Sequence, residues 1–145
     1  MREIRTSVDI EATPEAVWSV LTDFDAYPEW NPFIRSISGR LTKGEQLAVS
    51  LGASGKKPMS FTPVVTAAIP GEEFAWLGHL GMKGVFDGHH HFRLSVSGTG
   101  TRLDHFEEFS GVLSAVVLAP IRSSTTRGFQ EMNQALKDRV GAKAS

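Results

Sequence analysis

The chain has 145 residues, 41% of them hydrophobic and 21% charged, with a net charge of −1. That length supports one domain with its own core, spanning residues 1–145, and charges of both signs are interspersed, so there is no basic stripe to grip nucleic acid. The absence of cysteine excludes disulfides, thiolate metal sites and a cysteine nucleophile.

The first residues, Met1-Arg2-Glu3-Ile4, lack the apolar run of a signal peptide. Over residues 2–10, Ile4, Thr6, Val8 and Ile10 alternate with Arg5, Ser7 and Asp9, which predicts a half-buried strand. Thr13 then suits a helix N-cap, Pro14 the first helical position and Glu15 the positive end of the helix dipole. Val17, Trp18, Val20 and Leu21 supply its buried stripe. Pro28 and Pro32 punctuate the next segment, with one further helical turn expected around residues 25–30. Trp30-Asn31-Pro32 reads as structural: the indole plugs one end of the core, Asn31 caps a turn and Pro32 launches a strand.

Six strands are expected next, at residues 33–41, 46–51, 59–69, 72–80, 85–96 and 101–109. Glycine, proline and lysine turns separate them. Short connections make these an antiparallel meander, and with the first strand there are seven. The segment Gly52-Ala53-Ser54-Gly55-Lys56-Lys57 reads as a mobile loop.

The chain closes on a long amphipathic stretch with apolar residues at Leu113, Val117, Ile121, Phe129, Met132, Leu136 and Val140. Arg122, Arg127, Glu131, Asn133, Lys137, Asp138 and Arg139 fall on the face expected to be wet. Pro120 predicts a kink or a fresh start, leaving residues 123–140 as the secure helix. The nearly apolar run 112–121 is about half of the roughly 20 residues a membrane helix needs, so a cytoplasmic protein without membrane insertion is expected. The fold class is therefore α+β: a sheet closing on one long helix.

Four stretches carry a family resemblance: Ile10-Glu11-Ala12-Thr13-Pro14-Glu15-Ala16-Val17-Trp18, Tyr27-Pro28-Glu29-Trp30-Asn31-Pro32-Phe33, Gly88-His89-His90-His91-Phe92-Arg93-Leu94 and Phe109-Ser110-Gly111. Together with the closing run from Arg127 to Lys137, they resemble the SRPBCC superfamily, which includes START lipid-transfer domains, birch-pollen-type allergens and polyketide cyclase/dehydrase-like proteins. The resemblance implies a helix-grip fold, in which a curved seven-stranded antiparallel sheet wraps the long C-terminal helix around an apolar cavity, with two short helices after the first strand. It also implies that loops such as 52–57 gate the cavity. The superfamily spans carriers, receptors and cyclases, so it specifies fold more sharply than function.

Strand parity identifies the expected wall. On residues 85–96 the even positions, Phe86, Gly88, His90, Phe92, Leu94 and Val96, share one face, with His90 its only polar side chain. Leu103, His105, Glu107 and Phe109 share a face on the next strand. A two-residue turn at Gly98-Thr99 places His90 opposite Glu107 and Phe92 opposite His105, while a turn centred on Lys83 places Trp76 beside His90. The expected ligand-binding set is Trp76, Phe86, His90, Phe92, His105, Glu107 and Phe109 from the sheet, with Phe129 and Met132 from the helix.

His90 and Glu107 are the candidate catalytic pair, because a carboxylate beside an imidazole can tune proton transfer. The same pair also fits a tether between two strands. Alternation separates His90 from His89 and His91, so only those two, with His79, can share a surface, as solvated histidines without a metal. Gly81, Gly84 and Gly88 lack the lysine and helix of a phosphate loop, so no cofactor is expected. An apolar or aromatic small molecule is the expected partner, bound by a monomer or homodimer. The alternatives are a cyclase- or dehydratase-like enzyme without a metal, and an interaction module whose cavity is filled by its own side chains.

Overall fold

The computed structural model describes residues 2–52, 55 and 57–144. Strand β1 (Arg2–Ile10) leads into helix α1 (Pro14–Leu21), whose Thr13 hydroxyl accepts from Ala16 N–H at 3.1 Å, with Pro14 opening the helix. Val17, Val20 and Leu21 are buried as their spacing requires, and Trp18 is half-buried. A short 3-10 turn (Phe24–Ala26) runs into helix α2 (Tyr27–Trp30). Asn31 ends this unit, its side-chain oxygen accepting from the N–H groups of Phe33 and Ile34 at 2.9 and 2.8 Å and so launching β2 (Ile34–Ser38).

Among the described residues there are eight strands, not seven. After β2 come β3 (Ala48–Leu51), β4 (Met59–Phe61), β5 (Val64–Ile69), β6 (Glu73–His79), β7 (Asp87–Ser97) and β8 (Gly100–Ser110). They form a five-stranded sheet ordered β1-β8-β7-β6-β5 and a three-stranded sheet ordered β2-β3-β4. The single strand expected over 59–69 is divided at Thr62-Pro63, because proline has no N–H to continue a ladder. The chain crosses between sheets there: Leu47 N–H donates to the Pro63 carbonyl at 2.8 Å, and a lone bridge pairs Gln46 with Val64. The two sheets thus make one curved antiparallel surface. Of the expected loop at 52–57, Ala53, Ser54 and Lys56 lie outside the described residues.

The register on the large sheet is the one parity predicts. His90 faces Glu107 and Phe92 faces His105 across β7–β8, and Trp76 faces His90 across β6–β7. Gly98-Thr99 is the two-residue turn, with Gly98 at φ 59°, the left-handed region that such a hairpin requires.

Helix α3 (Ser114–Ala144) packs on β1, β8 and α1 and passes through Pro120 without a break in assignment. Leu118, Phe129, Met132, Leu136 and Val140 are its buried apolar residues. Leu113 and Ile121 are exposed, against expectation. Ile121 lies eleven residues before Met132, close to three full turns, so both lie along one line of the helix. Cover is therefore lost along the axis and not by rotation. Asn133, expected on the wet face, is buried. Among the described residues, no helix is long and apolar enough to cross a membrane.

Candidate functional site

Between β7, β8 and the second half of α3 lies a chain of polar groups inside an aromatic shell. Glu107 Oε1 is 3.1 Å from His90 Nδ1; His90 Nε2 is 2.7 Å from His105 Nε2; and His105 Nδ1 is 2.8 Å from Asn133 Oδ1. Asn133 Nδ2 donates to the Thr6 hydroxyl at 2.9 Å, and that hydroxyl donates to the His105 carbonyl at 2.8 Å. Trp76 stacks on His90 at 4.8 Å, and Phe129 lies flat on His105 at 4.2 Å. Phe92 sits against both histidines.

The direction of every bond in this chain follows from its last member. A backbone carbonyl can only accept, so the Thr6 hydroxyl must donate to it and accept from the Asn133 amide. The Asn133 oxygen is then free to accept, and His105 Nδ1 carries the hydrogen that it accepts. Burial, with the neighbouring His90 charge adding to it, pushes the pKa of His105 well below its ordinary value despite the Asn133 hydrogen bond. His105 is therefore neutral, and its Nε2 accepts from His90 Nε2–H. His90 Nδ1 then faces the Glu107 carboxyl, and two bare acceptors cannot face each other. One proton is held between His90 and Glu107.

Glu107 is the outer end of this chain, with 17% of its side chain accessible, whereas His90 is almost fully covered. Gly88 makes room for it, since a Cβ at that position would collide with the Glu107 carboxylate. A leucine at Gly88 would strike this carboxylate and fill no cavity. Chemically, the arrangement can present or withdraw a proton at one partly open carboxyl group, backed by a neutral histidine and an amide that do not titrate near neutral pH.

Six of the expected residues, Trp76, His90, Phe92, His105, Glu107 and Phe129, meet in this cluster, and Met132 lies in the same hydrophobic core. All but Glu107 are buried, and Phe92, His105, Phe129 and Met132 are fully covered. Phe86 and Phe109 stack on each other at 5.5 Å, a separate pair in the same core. Two open grooves lie elsewhere: one of about 410 Å³ is lined by Pro28, Asn31, Pro32, Arg35 and Gly55, and one of about 500 Å³ covers Ser36, Ser38, Ser50 and Ser60 on β2–β4. Asn133 and Thr6 were not among the expected site residues. The signal for Asn133 was its place four residues after Phe129 and three before Leu136, inside a stripe broad enough to include it.

On the other face of the sheet the histidines depart from the solvated arrangement expected. His91 is buried and stacks on Phe106 at 4.5 Å, and the Arg5 guanidinium lies 3.9 Å from that Phe106 ring. His79 stands apart from His89 and His91, its Nδ1 2.7 Å from Asp87 Oδ1.

Residues 1–141 match the family described as polyketide cyclase / dehydrase and lipid transport. The chain belongs to this family. Several solved structures share the fold of this family member. The Zhui aromatase/cyclase from Streptomyces sp. R1128 superposes with a TM-score of 0.74 at 14% identity, over 99% of this chain and 96% of that one. A START superfamily protein from Mycobacterium smegmatis gives 0.70 at 21% identity, over 97% of each chain. TTHA0849 from Thermus thermophilus gives 0.76 at 16% identity, over 99% of this chain and all of that one. At these identities the likeness is one of fold. No curated protein matches the sequence.

Proposed function

We propose that this family member binds a hydrophobic or aromatic small molecule between the sheet and α3, with the His90–Glu107 pair anchoring an oxygen of the ligand. The observation that carries this reading is the buried Glu107–His90–His105–Asn133–Thr6 chain inside an aromatic shell. Burying ionisable groups is costly and a packed apolar core is commonly as stable, so an ion pair held in such a place needs a reason beyond stability. Membership of a family of cyclases, dehydrases and lipid carriers supports the reading. The ligand enters beside Glu107 by displacing side chains, under the first third of α3. There Val112, Val116 and Met82 form an exposed apolar rim, and the hydrogen bonds from Val112 and Leu113 to the Gly84 and Val85 carbonyls join the helix start to the β6–β7 turn.

The test is an NMR titration with a flavonoid and with 1-anilinonaphthalene-8-sulfonate. Saturable binding is expected, with shifts at the Trp76 indole and at Phe129, and weaker binding is expected in Gly88→Ala, whose new Cβ evicts the carboxylate. No saturable binding, or shifts confined to the serine-lined groove on β2–β4, overturns the proposal.

The shared proton favours a second reading on the same site, a cyclase- or dehydratase-like activity on a poly-β-keto substrate. In that case Glu107→Gln lowers turnover of a β-ketoacyl thioester mimic by roughly 100-fold with binding retained, as loss of a general acid–base does. An unchanged rate leaves binding alone.

A further inference from the structure

The opposite face of the sheet carries a second histidine cluster, independent of the His90 chain. His89 and His91 are two residues apart on β7 and so project to one side, with ring centroids 4.1 Å apart. Glu108 is the cross-strand partner of His89. One ligand atom from each of His89, His91 and Glu108 falls within 4.8 Å of the other two.

His91 is prepared in a way that a merely structural histidine does not need. Its Nδ1 is 2.7 Å from Glu73 Oε2. Arg93 Nε stands 3.4 Å from the other oxygen of the same carboxyl group, Glu73 Oε1. As a carboxylate Glu73 only accepts, so His91 Nδ1 carries a hydrogen and Nε2 is the nitrogen left to meet a second partner. That nitrogen is buried without a hydrogen-bond partner, and it lies 3.2 Å from Glu108 Oε1. A ring nitrogen and a carboxylate oxygen this close hold a positive charge between them, either a proton or a metal ion. Two ligands bound at about 2.0–2.1 Å to a tetrahedral ion stand roughly 3.3 Å apart.

His89 completes the set. The β5–β6 bulge at Thr66 lets that hydroxyl reach His89 Nε2 at 2.8 Å, fixing the ring and leaving Nδ1 as its other nitrogen.

We propose that His89, His91 and Glu108 bind one divalent transition-metal ion on the outer face of the sheet, with Glu73 as the positioning residue for His91. Two imidazoles and one carboxylate suit zinc, cobalt, nickel or copper better than magnesium or calcium. Three protein ligands leave a coordination position for water, the pattern of an open zinc site. The carboxylate–histidine–metal arrangement of Glu73 and His91 is the usual means of fixing the ligating tautomer.

The experiment is a calorimetric titration of tag-free, chelator-treated protein with Zn²⁺ at pH 7.5, repeated with Co²⁺ while recording visible absorption. One ion per chain is expected, with a ligand-field spectrum for Co²⁺ of low coordination number. Affinity should fall more than about 10-fold in Glu108→Gln and in His91→Gln, and by about 10- to 100-fold in Glu73→Ala, the range for loss of an orienting partner. His79→Gln should bind as the wild type does. Absence of Zn²⁺ binding, or binding untouched in His91→Gln and Glu108→Gln, overturns the proposal. So does an NMR spectrum in which His91 keeps hydrogens on both ring nitrogens at saturating Zn²⁺, because the positive charge is then a second proton.

Discussion

Asn133 is the residue on which the polar chain turns. Its amide donates to Thr6 and its oxygen accepts from His105, so it fixes which ring nitrogens carry hydrogens as far as His90. The neutrality of His105 has a measurable consequence. Its pKa lies well below the ordinary value in the folded chain, and that of His89 is lowered as well. As pH falls through about 6.5, the unfolded chain takes up these protons first. The unfolded state then binds more protons than the native state, so unfolding free energy decreases on acidification. This contribution is complete above about 6.5 and is lost progressively below it, by up to about 1.4 kcal/mol per pH unit for the fully buried His105 and by less for the more accessible His89. Thermal melts between pH 7.5 and 5 should show the midpoint falling in the acidic half of this range, with a shallower slope in His105→Gln. A wild-type midpoint independent of pH over that range would contradict a neutral buried His105. Glu73 and Asp87, whose pKa values are also lowered, act at lower pH, nearer the carboxylate range.

Helix α3 carries two glycines with opposite roles. A Cβ at Gly128 would come within 2.5 Å of the Phe33 ring, which is buried and packs edge-on against Phe129 at 5.4 Å. Gly128→Ala should therefore destabilise by about 1–3 kcal/mol through overpacking, against a helix-propensity gain of about 1 kcal/mol. At Gly141 a Cβ meets nothing within 4 Å, so Gly141→Ala should stabilise by up to about 1 kcal/mol. Urea unfolding of the two variants measures both, and the reverse order would mean that the close approach of α2–β2 to α3 at Phe33 is not maintained. The same helix explains why its apolar spacing misled. Periodicity reports which side chains share a face, and Leu113, Val117 and Ile121 do share one; it does not report where along the axis the sheet stops covering that face.

For the whole molecule, the contrast between the two ends of α3 ties packing to the proposed function. The second half holds Phe129, Met132, Asn133, Leu136 and Val140 in the core, while the first third exposes Val116 and Ile121. Hydrogen exchange should be faster over residues 114–121 than over 128–140, since local opening draws on the least covered segments. A bound ligand should slow exchange in that first third. At 100-fold excess over its Kd it should add about 2.7 kcal/mol to stability, an upward shift in Tm of roughly 5–10 °C for a chain of this size. Equal exchange along α3, with no ligand-dependent change, would count against entry under its first third.

Much of this was legible in the chain itself. Alternation on β7 and β8, with a two-residue turn at Gly98-Thr99, was sufficient to pair His90 with Glu107 and Trp76 with His90, because side-chain direction in a strand has a period of two and short turns leave register little freedom. Thr13-Pro14 opened α1 through local capping chemistry alone. What tertiary structure decided depends on partners far apart in sequence. Pro63 divided a continuous run into β4 and β5 because residues 44–47 offered the hydrogen bonds that carry the chain across. Asn133 was drawn inward by His105 and Thr6, and the expected cavity residues closed on one another. His91 became buried because Phe106, from the neighbouring strand, stacks on it and Glu73 and Glu108 flank its two ring nitrogens. Periodicity states which face a residue occupies; only the assembled sheets and helix determine what stands opposite, and how closely.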